Sequence, residues 1–319
     1  MAFSNILPDP VNKITEAGVY DNSTGTAGPG FASLAVRSVR DTQVSRTISG
    51  RGITRSQGSQ NWEIDISYNP MTRDQFEPVY SFLLSRNARR SPFYVALPQY
   101  SSSRSTAWDT LANAESLFVK TAASAGESSL VIRHFDLTGS PKQGDMFTIT
   151  DVNDTNHTKA YRITRVETST VYETAVTDSK EVRIHFVPPL VRAVATGLTN
   201  ITTTSTNTTT ETFTLASHGL SIGQELKMVS GNTTDLTVDQ IYYVIAAGFT
   251  TSAFRISTTS GGSAVNLTSA TNTVFIPSPT KPVFVDPKIR CILKNDVQEY
   301  SLNTNNLYQF GLNLEEIQP

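Results

Sequence analysis

The stretch that most constrains the fold covers residues 62–98, because it joins two strand patterns through one helical pattern. Residues 62–68 alternate apolar and polar side chains, which is typical of a strand with one buried face and one wet face. Asn69-Pro70 ends this strand, because proline donates no ladder hydrogen bond. Residues 93–97 predict a second strand, closed by Pro98. The sequence therefore predicts a helix that lies across a β-sheet.

The helical pattern lies between these two strands. Thr72 suits the N-cap position, and Asp74 and Glu77 favour the positive end of the helix dipole. The apolar residues follow the spacing i, i+3, i+4 and i+7 and predict one buried helical face: Phe76, Val79, Tyr80 and Leu83. Asn87 and the arginines around it predict the end of the helix. The segment carries no nucleophile–base pair, ligand cluster or phosphate loop, so we expect it to be scaffold.

The composition favours many short strands. The chain has 319 residues, which predicts two or three domains, and 38% hydrophobic residues, which are enough to bury a core. Charged residues make up 17% of the chain, below the ~25% usual for soluble domains. Threonine, serine and asparagine take their place, and hydroxylated side chains suit the outer faces of strands.

Charge, hydropathy and cysteine content exclude several classes of protein. The net charge of -2 predicts no general attraction to nucleic acid or to a membrane surface. No span approaches the ~18 apolar residues of a membrane helix, so we expect no membrane insertion. The first ten residues lack the basic flank and apolar run of a signal peptide. Cys291 is alone, which predicts neither a disulfide framework nor a thiolate metal site.

Residues 34–55 predict a long hairpin of two strands around a mobile loop, with Gly50 and Gly52 as breakers. Asp41 alone opposes five arginines in this segment: Arg37, Arg40, Arg46, Arg51 and Arg55. We interpret the segment as a solvated or intersubunit hairpin, and a loop that contacts a polyanion is the alternative. The apolar start of the chain, residues 3–7, suggests a second arm that docks on a neighbouring subunit.

The sequence predicts three parts: a core formed by residues 1–107 and 280–319, a small β-barrel domain formed by residues 108–193, and an inserted β module formed by residues 194–279. Prolines stand at both junctions of the module, and turns recur within it roughly every ten residues, as in a compact all-β module. We expect the module to close its own small core around four apolar residues: Phe213, Leu220, Val244 and Phe254. Residues 289–294 and 308–317 are strand-like, and we expect them to pair with the two strands of the opening segment. The middle of the chain would then be inserted material.

The sequence supports no catalytic, cofactor-binding or metal-binding residue. None of the four histidines has a metal-ligand companion at i+2 to i+4: His134, His157, His185 and His218. His185 alternates within a strand pattern, and His218 precedes Gly219 in a turn that it is expected to cap. Glu63 and Asp65 share one strand face, but a wet sheet face requires the same alternation, so we do not assign them to glycoside hydrolysis. A Ser-His-Asp triad stays open, although no nucleophile-elbow pattern supports it.

A set of motifs in the last third of the chain resembles a known small β module. The residues that carry the resemblance are Phe213, Leu215, His218-Gly219-Leu220, Gly223, Tyr242-Tyr243-Val244-Ile245, Phe254, Ile256-Ser257, Gly261-Gly262 and Ala264. This module recurs as an inserted or appended domain in bacteriophage tail proteins. The resemblance implies an association with a phage tail.

The flanking segments are similar to phage distal-tail or tail-tube-like proteins. The similarity rests on residues 62–98 and on several shorter motifs: Gly144-Asp145, Phe147, Lys159, Tyr161, Ile163-Thr164, Phe186, Pro188-Pro189-Leu190, Asp296-Val297-Gln298-Glu299-Tyr300, Tyr308, Phe310 and Leu312. The resemblance implies a mainly β fold with a tail-tube-like β-sandwich or barrel core, one flanking α-helix and two inserted small all-β domains. Distal tail protein, baseplate hub and tube initiator stay open as alternatives.

The resemblance also implies a function and partners. The chain would be a structural component of a phage tail tip or baseplate, located in the virion and assembled in the host cytoplasm. It would form a ring of identical copies, expected as a homohexamer, that connects the tail tube to the hub or fibres. Its partners would be the tail tube, the baseplate hub and tape-measure-type proteins. No cofactor, no metal, no specific nucleic-acid binding and no catalytic residue are implied.

Two other functions remain as alternatives. The Thr- and Ser-rich insert could recognise a host-surface glycan, for which Tyr242-Tyr243 is the only candidate aromatic pair. A tail-associated hydrolase is the third hypothesis, and the lack of a site constellation in the sequence counts against it.

Overall fold

The computed structural model of the 319-residue chain describes residues 4–56, 60–171, 176–296 and 299–319. Three residues named in the sequence analysis lie outside the described residues. They are Phe3 of the predicted docking segment and Val297 and Gln298 of the motif at residues 296–300. The helices are α1 (Arg73–Ser85) and α2 (Thr106–Asn113), and a short 3-10 helix covers Pro98–Tyr100.

The strands are β1 (Phe31–Val39), β2 (Thr42–Arg46), β3 (Gly52–Ser56), β4 (Asn61–Tyr68), β5 (Phe93–Ala96), β6 (Phe118–Val119), β7 (Ser129–Arg133), β8 (Met146–Thr150), β9 (Tyr161–Thr168), β10 (Glu181–Val187), β11 (Ile201–Thr202), β12 (Ser205–Asn207), β13 (Thr212–Thr214), β14 (Glu225–Ser230), β15 (Ile241–Ile245), β16 (Ala253–Ser257), β17 (Val274–Pro277), β18 (Lys281–Val283), β19 (Lys288–Leu293), β20 (Tyr300–Leu302) and β21 (Tyr308–Glu316). The fold is therefore mainly β, as the sequence predicts.

The chain divides into two compact units. The first contains the described residues of Met1–Ser101, Thr158–Ala160 and Asp286–Pro319. The second contains those of Ser102–His157 and Tyr161–Val285. Whether residues 108–193 and 194–279 fold as separate domains stays a prediction.

The first unit is built on an antiparallel sheet with the strand order β1-β4-β21-β19-β5, and β20 pairs with one end of β21. Ile64 of β4 lies between Val36 of β1 and Leu314 of β21, so apolar side chains from three strands share one face. The tail strands β21 and β19 pair with β4 and β5. This confirms the predicted pairing between the two ends of the chain.

Helix α1 covers the apolar face of this sheet, as predicted from its sequence period. It starts after Thr72, whose backbone N–H donates to the Gln75 side chain at 3.2 Å. Phe76, Val79 and Leu83 are buried as expected, and the helix also buries Phe82. Aromatic rings from the sheet, among them Tyr308 and Phe310, surround the ring of Phe76.

The start of the chain docks on its own sheet. The backbone N–H of Leu7 donates to Tyr94 O at 2.8 Å, and Tyr94 N–H donates to Asn5 O at 2.7 Å. The expectation that this segment reaches a neighbouring subunit is therefore wrong for residues 5–7. The physical reason is that the outer edge of β5 would otherwise leave its backbone groups unpaired.

The predicted hairpin of residues 34–55 differs from the observed structure. Leu34 and Val36 belong to β1, which pairs with β4 and presents both side chains to the apolar face of the sheet. Only β2 and β3 form the two-stranded hairpin, which turns between Thr47 and Arg51. The hairpin is thus the tip of a longer ribbon whose base lies in the main sheet.

The second unit contains a six-stranded antiparallel sheet with the order β18-β8-β9-β10-β7-β6. Helix α2, which the sequence analysis did not predict, packs on its core through Trp108, whose indole lies edge-on to Phe284 at 5.3 Å between ring centroids. The helix has eight residues, too few for an apolar period to stand out. Val194 also belongs to this core.

The segment predicted as the inserted module, for which we keep that name, contains a seven-stranded sheet with the order β11-β17-β14-β15-β16-β13-β12. Its core contains the four residues that the sequence analysis placed there, Phe213, Leu220, Val244 and Phe254, which confirms that prediction. Leu198 N–H donates to Pro277 O at 3.0 Å, so the two ends of the module lie side by side.

Candidate assembly surface

The most exposed part of the first unit is the β2–β3 hairpin, which we call the arm (residues 42–56). Its two strands pair from Thr42 opposite Ser56 to Arg46 opposite Gly52. Three large apolar side chains on the arm face solvent: Val44 is 60% exposed, Ile48 110% and Ile53 56%. An isolated two-stranded hairpin is only marginally stable in water. A further contact would therefore stabilise the arm in this conformation.

The pairing register places apolar side chains on both faces of the arm. Val44 lies opposite Thr54, and Ile53 lies opposite Ser45. Directly opposite residues project to the same face, and neighbours along a strand project to opposite faces. Val44 and Ile53 therefore lie on different faces, and the arm offers apolar contacts to partners on either side.

The arm and the residues just before it are basic. Asp41 is the only acidic residue between positions 40 and 56, against four arginines: Arg40, Arg46, Arg51 and Arg55. Within the described part of the chain, these four guanidinium groups form no ion pair. Arg37, at the base of the ribbon, differs because it pairs with Asp65 and lies 3.9 Å from Glu63. The excess positive charge is thus concentrated on the exposed tip.

Strand β1 gives the main sheet an open edge. It pairs with β4 on one side, and among the described residues no strand pairs with its other side. The opposite edge of the sheet, β5, is bridged by residues 5–7. An open strand of nine residues is a template on which a strand of another chain can pair.

The face of the main sheet that does not contact α1 is a network of ion pairs. Lys294 Nζ lies 2.7 Å from Glu63 Oε1, and Arg89 Nη2 lies 2.8 Å from Glu315 Oε1. Glu63 and Asp65 share this face, as predicted. Both carboxylates form ion pairs with basic side chains, as expected for charged residues on the solvent-exposed face of a sheet.

The four histidines have structural partners. His218 accepts a hydrogen bond from Leu220 N–H at 3.1 Å, which confirms its predicted role as a turn cap. His185 Nε2 lies 2.9 Å from Glu167 Oε1, and His134 Nδ1 accepts from Asp136 N–H at 3.0 Å. His157 is buried beside Tyr161, and burial lowers its pKa. In the described ranges, no group of three or more histidine, cysteine or acidic residues is placed to hold a metal ion.

A buried ion pair in the first unit was not predicted. Lys159 Nζ contacts Glu316 Oε2, and both side chains are 0% exposed. The Glu316 carboxylate also accepts hydrogen bonds from Trp62 N–H at 3.1 Å and from Ala160 N–H at 3.3 Å. The available signal was the alternation in β21, which puts Glu316 on the same face as Leu312 and Leu314.

The aromatic pair that favoured glycan binding does not form a platform. Tyr242 is 2% exposed and lies in the core of the inserted module, where its hydroxyl accepts from Thr237 N–H at 2.8 Å. Tyr243 projects to the opposite face of β15. The two rings therefore cannot present a shared stacking surface to a sugar.

No helix in the described ranges is long and apolar enough to cross a membrane. No protein-family model matches the chain, and no curated protein matches it.

Proposed function

We propose that this chain is a structural subunit of a phage tail tip or baseplate that assembles into a ring with copies of itself. The observation that carries the proposal is the exposed arm, which places Val44, Ile48 and Ile53 in solvent. Apolar side chains on a projecting hairpin gain free energy only when another surface covers them. The open edge of β1 adds a second place where a copy can pair.

The mechanism of the proposed function is assembly. The β1 edge of one subunit pairs with a strand of its neighbour, and the arm packs on that neighbour through both of its faces. Closure of the ring occupies every such edge, which prevents open-ended association. The basic arm favours a neighbour with acidic residues at the contact, because opposite charges steer association.

The placement in a phage tail rests on the sequence resemblance of residues 62–98 and of the inserted module. It makes the tail tube, the baseplate hub and tape-measure-type proteins the expected partners and the virion the expected location. The proposal assigns no enzymatic step to the chain. Distal tail protein, hub and tube initiator are three versions of the same proposal.

Shortening the arm tests the proposal. Replacing residues 43–55 by Asn-Gly joins Thr42 and Ser56, which lie directly opposite each other, through a two-residue turn. We expect the parent protein to form rings, visible by electron microscopy and by light scattering. The shortened protein should stay monomeric with an unchanged melting temperature.

A serine substitution at Ile222 is the matched control, because this residue is also exposed and apolar but lies in the second unit. Ile222→Ser should leave assembly intact. Rings formed equally well by the shortened protein would contradict the role of the arm. A parent protein that stays monomeric, alone and when mixed with tail tubes, would contradict the proposal as a whole.

A further inference from the structure

Lys159 occupies a fully buried position that the proposed assembly does not use. Three oxygens surround its ammonium nitrogen Nζ. Gln60 O lies at 2.6 Å, Asn61 Oδ1 lies at 3.4 Å, and Glu316 Oε2 is in direct contact. All four residues belong to the first unit. A lysine, a carboxamide and a carboxyl group therefore meet around the buried amine of Lys159.

Burial changes the acid–base balance at this point. Removing an ammonium and a carboxylate from water costs several kcal/mol for each ion, which disfavours the charged pair. Burial lowers the pKa of Lys159 and raises the pKa of Glu316, while the attraction between the two opposes both shifts. Transfer of one proton from Nζ to Oε2 removes both charges. It leaves a neutral amine, which is a nucleophile, next to a carboxylic acid.

We propose that Lys159 and Asn61 form an intramolecular isopeptide bond, with Glu316 as the acid–base group. The lone pair of the neutral Nζ attacks Asn61 Cγ, and Glu316 delivers the transferred proton to the departing Nδ2. The Nζ–Cγ bond forms and the Cγ–Nδ2 bond breaks. The second proton lost by Nζ leaves with ammonia as ammonium, so Glu316 ends as it began. The step is redox-neutral and needs no co-reactant.

The position of Asn61 suits this reaction. Nζ is 3.4 Å from Oδ1, and Cγ lies one C=O bond, ~1.2 Å, from that oxygen. Attack requires reacting atoms ~3–3.5 Å apart, which a small rotation of the Asn61 side chain supplies. Asn61 starts strand β4 and is exposed, so its side chain can rotate and ammonia can escape to solvent. The Gln60 carbonyl oxygen holds Nζ in place.

The same residue types also meet at the protein surface, which provides a matched control. Lys294 pairs with Glu63 at 2.7 Å, and the register of β19 and β21 brings it next to Asn313. The Lys294 side chain is 41% exposed, so water solvates its ammonium group. We expect no bond between Lys294 and Asn313.

The mass of the intact parent protein tests the proposal. We expect a mass lower than the sequence mass by one ammonia, and a proteolytic fragment that joins the peptides containing Asn61 and Lys159. Lys159→Arg and Asn61→Ala should each abolish the joined fragment and the ammonia loss. Glu316→Gln should leave most of the protein without the bond. Lys294→Arg should keep both signatures.

Two results would overturn the proposal. A parent protein with the full sequence mass and no joined fragment leaves Lys159 as an ordinary buried ion pair. An ammonia loss that persists in Lys159→Arg identifies cyclisation of an asparagine with its own backbone instead. The first result needs only the parent protein, and the second needs only Lys159→Arg, so neither depends on whether the Glu316 variant folds.

Discussion

The contribution of a charged side chain to the stability of this protein depends on how deeply the side chain is buried. Arg133 is the clearest case. Its Nε lies 2.6 Å from Asp239 Oδ2, and its Nη1 lies 2.8 Å from Asp178 Oδ2 and contacts Glu181. These contacts join strand β7 of the six-stranded sheet to the turn before β15 of the inserted module. One guanidinium group thus contacts three carboxylates, of which Glu181 lies in β10 while Asp178 and Asp239 precede β10 and β15.

Arg133→Gln should lower the free energy of unfolding of the second unit by about 1.5–3 kcal/mol, the range for hydrogen bonds to charged groups. Of the cationic partners within the described ranges, the buried Glu181 carboxylate would keep only Lys120. Chemical denaturation measures the change. Arg73→Gln is the control and should cost much less, because Arg73 forms a solvent-exposed pair with Glu77 that water screens. Equal effects of the two substitutions would contradict the argument from burial.

His157 should make the second unit sensitive to acid. Burial lowers its pKa from 6.5, so the folded state resists the proton that the unfolded state binds. Stability is then fully present above pH ~6.5 and falls as the pH drops below this value. The Nδ1 atom of His157 is buried and has no hydrogen-bond partner among the described residues, which adds to the cost of a charge.

The substitution His157→Gln tests this expectation. Melting temperatures between pH 7.5 and 5.5 should fall less steeply in the variant than in the parent. Some slope should remain, because burial also lowers the pKa of His134. Identical slopes in parent and variant would show that His157 takes up its proton as easily in the folded state as in the unfolded state.

At the scale of the element, helix α1 connects the sequence to the core of the first unit. The Phe76 ring stacks on Tyr308 with 4.4 Å between centroids and on Tyr80 with 4.9 Å. Phe310 lies edge-on to the same ring. Phe76 therefore anchors the helix through two rings of β21, and it also stacks on Tyr80 of the same helix.

Phe76→Ala and Leu83→Ala should each destabilise the first unit by roughly 2–5 kcal/mol, because each leaves a cavity in a packed core. Thermal and chemical denaturation measure the loss. Leu84→Ala is the matched control on the same helix, since Leu84 is 54% exposed and its truncation should change stability by less than ~0.5 kcal/mol. Melting curves of Phe76→Ala that match those of the parent would mean that this helical face is not buried.

At the scale of the whole molecule, the inserted module should be removable as a unit. Its ends lie side by side through the Leu198–Pro277 hydrogen bond, and its core is built from its own strands. The deletion should start after Val194, because this residue packs in the core of the six-stranded sheet. Removing residues 198–277 and closing the gap with a short Gly/Ser linker should give a soluble protein that unfolds cooperatively and still assembles.

The measurement combines solubility, thermal unfolding and the assembly assay. The deletion would also uncover part of the Phe118 ring, because Lys227 of the module lies over it, with Nζ 4.1 Å from the ring centroid. Exposure of this ring could lower the solubility of the shortened protein. Phe118→Ser combined with the deletion should restore solubility if exposure of this ring causes aggregation. A molten product in both versions would mean that the module is part of the folding core of the second unit.

The sequence by itself determined the elements whose patterns are local. The period of two in residues 62–68 and the period of 3.6 around Phe76 require a half-buried strand and a helix with one apolar face. The four core residues of the module and the turn-capping His218 follow from the same kind of local pattern. Pairing of the distant strands β4 and β21 was also predictable, since both carry the same alternation.

Only the tertiary structure decided features that depend on contacts between distant residues. Whether β1 pairs with β2 or with β4 depends on which partner buries Leu34 and Val36, and a local pattern does not specify the partner. The same holds for the docking of residues 5–7 on β5. The meeting of Asn61, Lys159 and Glu316 depends on three distant segments of the chain. Local periodicity fixes which face of a strand is apolar, whereas burial and partner choice are set by the packing of the whole chain.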